Sequence, residues 1–429
     1  MDIREWIKND ILLFDGAMGT MLQERGMKAG TLPEVLNLTS PGIVTEIHKE
    51  YVRAGADVVT TNTFQAHELK IQGENTVEKI VSAGVECARV SGARYVALDI
   101  GPLGQLLAPL GAISFERAYE IFRRQMIVGE ESGADLILIE TISDLYEAKA
   151  AILAAKENTK LPVFCTMTFQ ENGRAFLGCD PLTAVLTLQG LGVDALGVNC
   201  SLGPELLEPV VETMLKYSRL PVIIQPNAGL PILQNGAPTY KSLPMQYVAH
   251  ILNMVRRGAR IIGGCCGTTP EYISIIKKQL AGMKPANITP TSVSACTSGN
   301  STVILDGVIT EIGERLNPTG KKKLREALKN GDINYLASEA INQVQAGAQI
   351  LDINVGLPEL NELEVMVKVI REIQGVTSVP LQIDSADPAV IEAGIRVYNG
   401  KPIINSVNGK REIMEKIFPL AKKYGALVV

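Results

Sequence analysis

The chain has 429 residues, 20% of them charged, with 41 Lys and Arg against 46 Asp and Glu. That length accommodates two large single-core domains, and the mildly acidic balance, with no basic block beyond Lys321-Lys322-Lys323, excludes nucleic acid or an anionic membrane as the main partner. No signal-type segment is visible and no apolar run reaches the roughly 20 residues of a membrane span; the odd count of 7 cysteines points to reduced thiols, so a soluble, cytoplasmic protein is expected.

Along the chain, a helical segment repeatedly closes on Gly-Ala-x or a relative and a short apolar run follows at once. The pattern occurs at Ala54-Gly-Ala-Asp, Ser91-Gly-Ala-Arg, Ser132-Gly-Ala-Asp, Leu191-Gly-Val-Asp, Arg257-Gly-Ala-Arg, Ala346-Gly-Ala-Gln and Tyr424-Gly-Ala-Leu. The glycine supplies the left-handed conformation that ends a helix, and a continuous apolar run suits a parallel strand buried on both faces. Strands are expected near Ile11 to Phe14, Val58 to Thr61, Val96 to Asp99, Leu136 to Ile139, Val163 to Met167, Ala195 to Val198, Val222 to Gln225 and Arg260 to Gly263. About eight such units in about 280 residues meet the requirement of a (β/α)8 TIM barrel, in which all strand ends open into one mouth. A doubly wound open sheet is the alternative, but no Gly-x-Gly-x-x-Gly follows the first strand.

The expected domains are residues 1–285, a linker at 286–303 rich in Pro, Ser, Thr, Asn and Gly with Cys296 stranded in it, and a second unit at 304–429. In the second unit strand starts recur up to Ala426-Leu-Val-Val, giving a parallel barrel that is incomplete. A half-built barrel leaves unpaired edges, so the chain reads as a fragment of a longer protein.

The strand ends of the first barrel carry polar and reactive groups. Cys200 follows one strand; Cys265 and Cys266 follow another, inside Gly263-Gly-Cys-Cys-Gly-Thr-Thr-Pro270. Three thiolates at equivalent strand ends can share one Zn2+ and leave its fourth position open. Such a metal is a poor activator of water and a good holder of a substrate thiolate. Asp15 and Glu140 offer carboxylates for a substrate ammonium; backbone N–H groups around Gly16 and the Thr61 hydroxyl offer donors for a carboxylate. An amino-acid thiol fits that set. Cys87, Cys165 and Cys179 are expected to pack in the interior, and His48, His67 and His250 to lie on the surface.

Asp15-Gly-Ala-Met-Gly-Thr, Thr61-Asn-Thr-Phe, Asp99-Ile-Gly-Pro, Glu140-Thr, Gly197-Val-Asn-Cys-Ser and the Gly-Cys-Cys-Gly stretch together resemble the homocysteine S-methyltransferase domain, over residues 1 to 282. The resemblance implies that Cys200, Cys265 and Cys266 bind zinc and that Asp15, Gly16, Thr61 and Glu140 hold homocysteine. Gly313-Glu-Arg-Leu-Asn-Pro-Thr-Gly, Leu351-Asp-Ile-Asn and Gln382-Ile-Asp-Ser are similar to the pterin-binding barrels that accept methyltetrahydrofolate, which by motif places Glu314, Asn317, Asp384 and Asn405 at a folate site. The two in this order resemble the N-terminal half of the cobalamin-dependent methionine synthases. That implies methylation of the homocysteine sulfur to methionine from methylcobalamin, with methyltetrahydrofolate as the ultimate donor. No Asp-x-His-x-x-Gly motif is present, so the corrinoid is expected on a further domain or a separate protein. Two other readings stay open: a different donor, such as S-methylmethionine or a betaine, and a zinc- or corrinoid-holding partner subunit without turnover.

Overall fold

The structure, a computed structural model, describes residues 2–28, 30–71, 73, 75–234, 237–240 and 242–429. It divides into two compact units, one of residues 1–105, 116–176 and 193–291, the other of residues 106–115, 177–192 and 292–429.

The first unit is built on eight parallel strands: β1 (Leu12–Leu13), β2 (Val58–Thr60), β3 (Tyr95–Ile100), β4 (Leu136–Ile142), β5 (Val163–Met167), β6 (Ala195–Asn199), β7 (Val222–Gln225) and β8 (Ile261–Ile262). Each neighbours the next in sequence, β8 pairs with β1, and the ring closes through a parallel bridge between Phe14 and Val58. The expected TIM barrel is therefore present. Glycines of the repeated helix-ending pattern take positive φ, 104° at Gly55 and 94° at Gly133, where a Cβ would be strained.

Strand periodicity decides what faces the barrel axis. Leu12, Phe14, Val58, Ala97, Leu136, Leu138, Phe164, Ala195, Ile223 and Ile261 form one buried cluster, joined by Ile3 and Ile7 of the helix Ile3–Asn9. Because side chains alternate, continuing each inward series in steps of two toward the C-terminal end reaches Asp99, Glu140 and Gln225 in one step and Asn199 in two. The polar top layer of the barrel is thus the continuation of its apolar core. Strand β4 runs three residues beyond expectation, with a register shift against β5 between Ile139 and Ile142 and φ of 62° at Thr141. Glu140 sits on that irregularity.

The second unit carries five parallel strands in sequence order, β9 (Ile312–Leu316), β10 (Ile350–Ile353), β11 (Leu381–Asp384), β12 (Ile403–Asn405) and β13 (Leu427–Val428). The stretch expected as linker contains an antiparallel hairpin, Ala295–Thr297 against Thr302–Ile304, and Cys296 is buried with Ile350 and Ile403. Composition concealed the hairpin because its strands are short; the signal was Gly299-Asn300 just ahead of the β-branched run Thr302-Val303-Ile304. Among the described residues no helix is long and apolar enough to cross a membrane.

Two histidines depart from the surface placement expected of them. His48 is fully buried on the inner face of the helix Pro41–Ala54, beside Val44, Ile47 and Tyr51 at helical spacing, and burial lowers its pKa to about 3. His67 is also buried, lowered to about 4 by burial and then by Lys70. The third, His250, places Nδ1 2.6 Å from Glu208 Oε1.

Glu147, in the first turn of the helix Leu145–Asn158, is buried and accepts the Leu103 N–H at 2.7 Å. Burial raises its pKa to about 8. A carboxyl neutral in the fold and ionised in the unfolded chain contributes stability that is full below the unfolded pKa and is lost as pH rises toward 8. Glu147→Gln keeps the acceptor and removes that loss, on the order of 3 kcal/mol by pH 7. The thermal midpoint of the variant should exceed that of the parent at pH 7 by roughly 5 °C and equal it near pH 4; equal midpoints at both would refute the assignment.

Candidate active site

Cys200 follows β6 directly, and Cys265 and Cys266 follow β8 after two glycines. Their loops are laced together by the backbone: Cys200 N–H donates to Gln225 O at 3.0 Å, Cys265 N–H to Pro226 O at 2.9 Å, and Gly264 N–H to Asp15 O at 3.0 Å. The buried Tyr247 hydroxyl lies 3.2 Å from both Pro226 O and Gly263 O. Cys200 and Ser201 hold φ of 60° and 59°, a left-handed turn that non-glycine residues adopt at a cost and that aims the Cys200 thiol. The three Sγ atoms all lie within 4.8 Å of one another, and among the described residues no other group of three Cys, His, Asp or Glu ligand atoms converges in this way.

The donor set fits a soft divalent cation. Contact with the Cys200 and then the Cys265 thiol pulls the Cys266 thiol down to about 3, while contact with the Cys200 and Cys266 thiols pushes Cys265 up. Without a cation, neighbouring thiols disfavour one another's ionisation. A divalent ion relieves that constraint by charge, and three sulfurs with a fourth position free match zinc.

A cavity of about 330 Å³ opens beside the thiols, lined among others by Asp15, Gly16, Thr61, Asp99, Glu140 and Cys266. Asp15 accepts from the Thr60 N–H at 2.8 Å and the Thr60 hydroxyl at 2.9 Å. Burial still raises it to about 7. Glu140 is raised to about 8, by burial first, then by Asp15 and Cys266. Asp99 is raised by burial and then by Glu140, and its Oδ1 has no hydrogen-bond partner; Glu34 Oε2, on the same cavity, has none either. Four carboxyls sharing one buried space each disfavour the others' ionisation, and a bound cation reverses this.

The Thr61 hydroxyl lies on the cavity wall and is engaged with its own neighbours. It accepts from Asp99 N–H at 3.0 Å and stands 2.7 Å from Thr63 Oγ1, which donates to Asp99 O at 2.8 Å. Its proton therefore goes to Thr63, and Thr61 fixes the backbone of Asp99. Gly16 packs against Thr268, where a Cβ would lie 2.7 Å from the carbonyl oxygen.

Asp99, Glu34 and Asn199 carry site geometry that motif reading did not assign to them. Asn199 Nδ2 lies 2.7 Å from Thr141 Oγ1, 3.3 Å from Glu140 Oε2 and 3.9 Å from Cys265 Sγ, while its Oδ1 accepts from Thr141 N–H and Thr166 Oγ1, both at 2.8 Å. It links the carboxylate side of the site to the thiol side. Its position before Cys200 on an inward-facing series was the available signal.

In the second unit the strand ends form a polar network. Asn317 Nδ2 and Asn354 Nδ2 donate to Asp384 Oδ2 at 3.4 and 3.0 Å. Gln382 Nε2 and Asn405 Nδ2 donate to Asp352 Oδ1 at 2.6 and 3.2 Å. Glu314 stands apart, its side chain 66% exposed and 3.7 Å from Lys321 Nζ. Asp352 and Asn354, absent from the four folate candidates, lie inside the Leu351-Asp-Ile-Asn motif. Burial raises Asp352, and its second oxygen has no partner.

The homocysteine S-methyltransferase family model matches residues 12–280, and the pterin binding enzyme model matches residues 313–429. Methionine synthases of Mycobacterium leprae (strain TN) and Mycobacterium tuberculosis (strain ATCC 25618 / H37Rv) are each 30% identical to the chain, over alignments of 465 and 461 positions that cover 100% of it and 38% of the relative. The chain thus spans 38% of the length of these curated relatives. Among solved structures, the metallated form of the homocysteine methyltransferase MmuM from Escherichia coli matches with TM-score 0.54 and 26% identity, covering 63% of this chain and 97% of that one. The oxidized form matches with TM-score 0.55 and 25% identity over the same shares.

Proposed function

The chain belongs to the homocysteine S-methyltransferase family, and from that premise we propose that its first unit binds homocysteine in the 330 Å³ cavity and presents the sulfur for methylation to methionine. The observation that carries this reading is the convergence of Cys200, Cys265 and Cys266 beside buried, unsatisfied carboxyls. Cys200, Cys265 and Cys266 would hold zinc, which when bound keeps a substrate thiol deprotonated and nucleophilic at neutral pH. Asp15 and Glu140 take the substrate ammonium: burial holds their ionisation back in the empty cavity, and as the cation enters they release their remaining protons to solvent. Gly16 and Thr61 stand at the carboxylate, the donor there being the Gly16 backbone N–H, because the Thr61 hydroxyl is committed to Thr63 and its N–H to Ala97 O. Asn199 keeps Glu140 and Cys265 in fixed relation, so that the amino end and the sulfur end are held together.

The methyl donor is assigned as methylcobalamin, carried on a cobalamin-binding domain or protein, with methyltetrahydrofolate as the ultimate source. The support is the second match, to the pterin binding enzymes, and the full-chain likeness to methionine synthases. Glu314, Asn317, Asp384 and Asn405 would contact the folate, with Asp352 and Asn354 completing the network on the same strand ends. The test is zinc content of the purified chain with and without homocysteine, followed by methionine formation from free methylcobalamin and from other methyl donors in parallel. Roughly one zinc per chain and methylcobalamin-dependent methionine are expected; a metal-free chain, or turnover with a sulfonium or betaine donor alone, would overturn the assignment.

A further inference from the structure

A primary ammonium has three N–H donors, and in a buried cavity each needs an acceptor, because a charged donor left unmatched there is strongly unfavourable. Asp15 and Glu140, the groups assigned to the substrate ammonium, account for two. The ring of strands decides where the third must lie. Asp15 follows β1, but its carboxylate lies over the end of β2, both oxygens accepting from Thr60, the last residue of that strand. Glu140 stands near the end of β4. Strand β3 runs between them, paired in parallel with β2 on one side and with β4 on the other. A nitrogen that touches both carboxylates therefore lies across the end of β3.

What β3 presents there is Asp99. It lines the same cavity, is 6% exposed, and its Oδ1 has no hydrogen-bond partner. Its backbone is fixed from both sides: the N–H donates to Thr61 Oγ1 at 3.0 Å, and the carbonyl accepts from Thr63 Oγ1 at 2.8 Å. A buried acceptor held in place and left free points to a donor that arrives with a ligand. Glu34, whose Oε2 is also free, belongs to the segment Pro33–Val35 and not to the strand ring, and its Oε1 accepts the Gln65 N–H at 2.7 Å.

We infer that Asp99 is the third acceptor of the substrate ammonium, so that the site reads a primary amine through all of its N–H groups and not through charge alone. This rests on the homocysteine reading above and deepens it. The test is calorimetric binding of three thiols to the zinc-loaded full chain, as parent, Asp99→Leu and Asp99→Asn. The thiols are homocysteine, γ-mercaptobutyrate, which is homocysteine without its amino group, and N-methylhomocysteine, which keeps the charge but has one N–H fewer. The parent should bind homocysteine more tightly than either analogue. Asp99→Leu should weaken homocysteine binding by about tenfold to a hundredfold, the loss of one hydrogen bond to a charged group, and leave γ-mercaptobutyrate within about threefold of the parent. Asp99→Asn, which keeps an oxygen, should fall between. Retained binding of γ-mercaptobutyrate shows that the variant is folded and loaded. A role in packing alone would weaken both thiols alike, and that result overturns the proposal, as does homocysteine bound at parental strength by Asp99→Leu. N-methylhomocysteine bound by the parent as tightly as homocysteine overturns it without any variant. A parent that does not distinguish homocysteine from γ-mercaptobutyrate instead removes the ammonium site at Asp15 and Glu140, which separates the two failures.

Discussion

Cys265→Ala should lower zinc affinity by roughly a thousandfold or more and abolish methylation of bound homocysteine. Apparent binding free energies at structural zinc sites are on the order of 10 kcal/mol or more and are shared among few ligands, so losing one of three thiolates removes at least about 4 kcal/mol. The neighbouring effects run the same way. Cys265 takes the Asn199 amide, so its removal also frees the side chain that links the thiol side of the site to Glu140. The fold should survive, because Cys265 is only partly buried at a loop and the loop is held independently by Tyr247 and by backbone hydrogen bonds. Chelator competition followed by elemental analysis measures the first effect, and alkylation of homocysteine by methylcobalamin the second. Parental zinc content in the variant would return the three cysteines to the role of ordinary packing residues.

Glu140→Gln should raise the KM for homocysteine by between about thirtyfold and a thousandfold, with kcat changed by less than about threefold. Losing one partner of a buried charge pair costs on the order of 2 to 4 kcal/mol, and an interaction made equally in the bound and transition states appears in KM. The glutamine keeps an oxygen and the size of the side chain, so contact with Asn199 is retained in shape. The pH dependence carries the sign. Glu140 in the empty site titrates at about 8 and Asp15 at about 7, so at pH 6 both are largely protonated and must ionise to accept an ammonium. Homocysteine affinity should rise as pH increases from 6 toward 8, and the protons released on binding, read by calorimetry in two buffers, should fall by nearly one in Glu140→Gln at pH 7. A variant with unchanged KM and unchanged proton release would remove Glu140 from the ammonium site.

These expectations rest on features that differ in how far the sequence reveals them. The thiols were readable because Cys265 and Cys266 are adjacent, glycine-flanked and end an apolar run, and Cys200 ends another. The histidines were not. Glu46-Ile-His-Lys-Glu reads as surface from its neighbours in sequence, but His48 faces the direction set by Val44, Ile47 and Tyr51, and tertiary packing decides that the face is dry. The hairpin at 295–304 was hidden for a related reason: a polar composition describes solvation on average, whereas Cys296 is buried by partners more than fifty residues away, Ile350 and Ile403.

By itself the sequence determined the strand and helix series, the barrel of the first unit, the parallel run of the second and the identity of the three thiols. Those are properties of local periodicity, of glycine at helix ends and of residue chemistry, and they require no knowledge of distant contacts. Only the tertiary structure decided that Asp15, Glu34, Asp99 and Glu140 share one buried space, that the Thr61 hydroxyl is spent on Thr63 and that Asn199 joins Glu140 to Cys265. Desolvation and shared hydrogen bonds depend on which side chains meet across the barrel mouth, and strand ends distant in sequence meet there only when the ring of strands closes between β1 and β2.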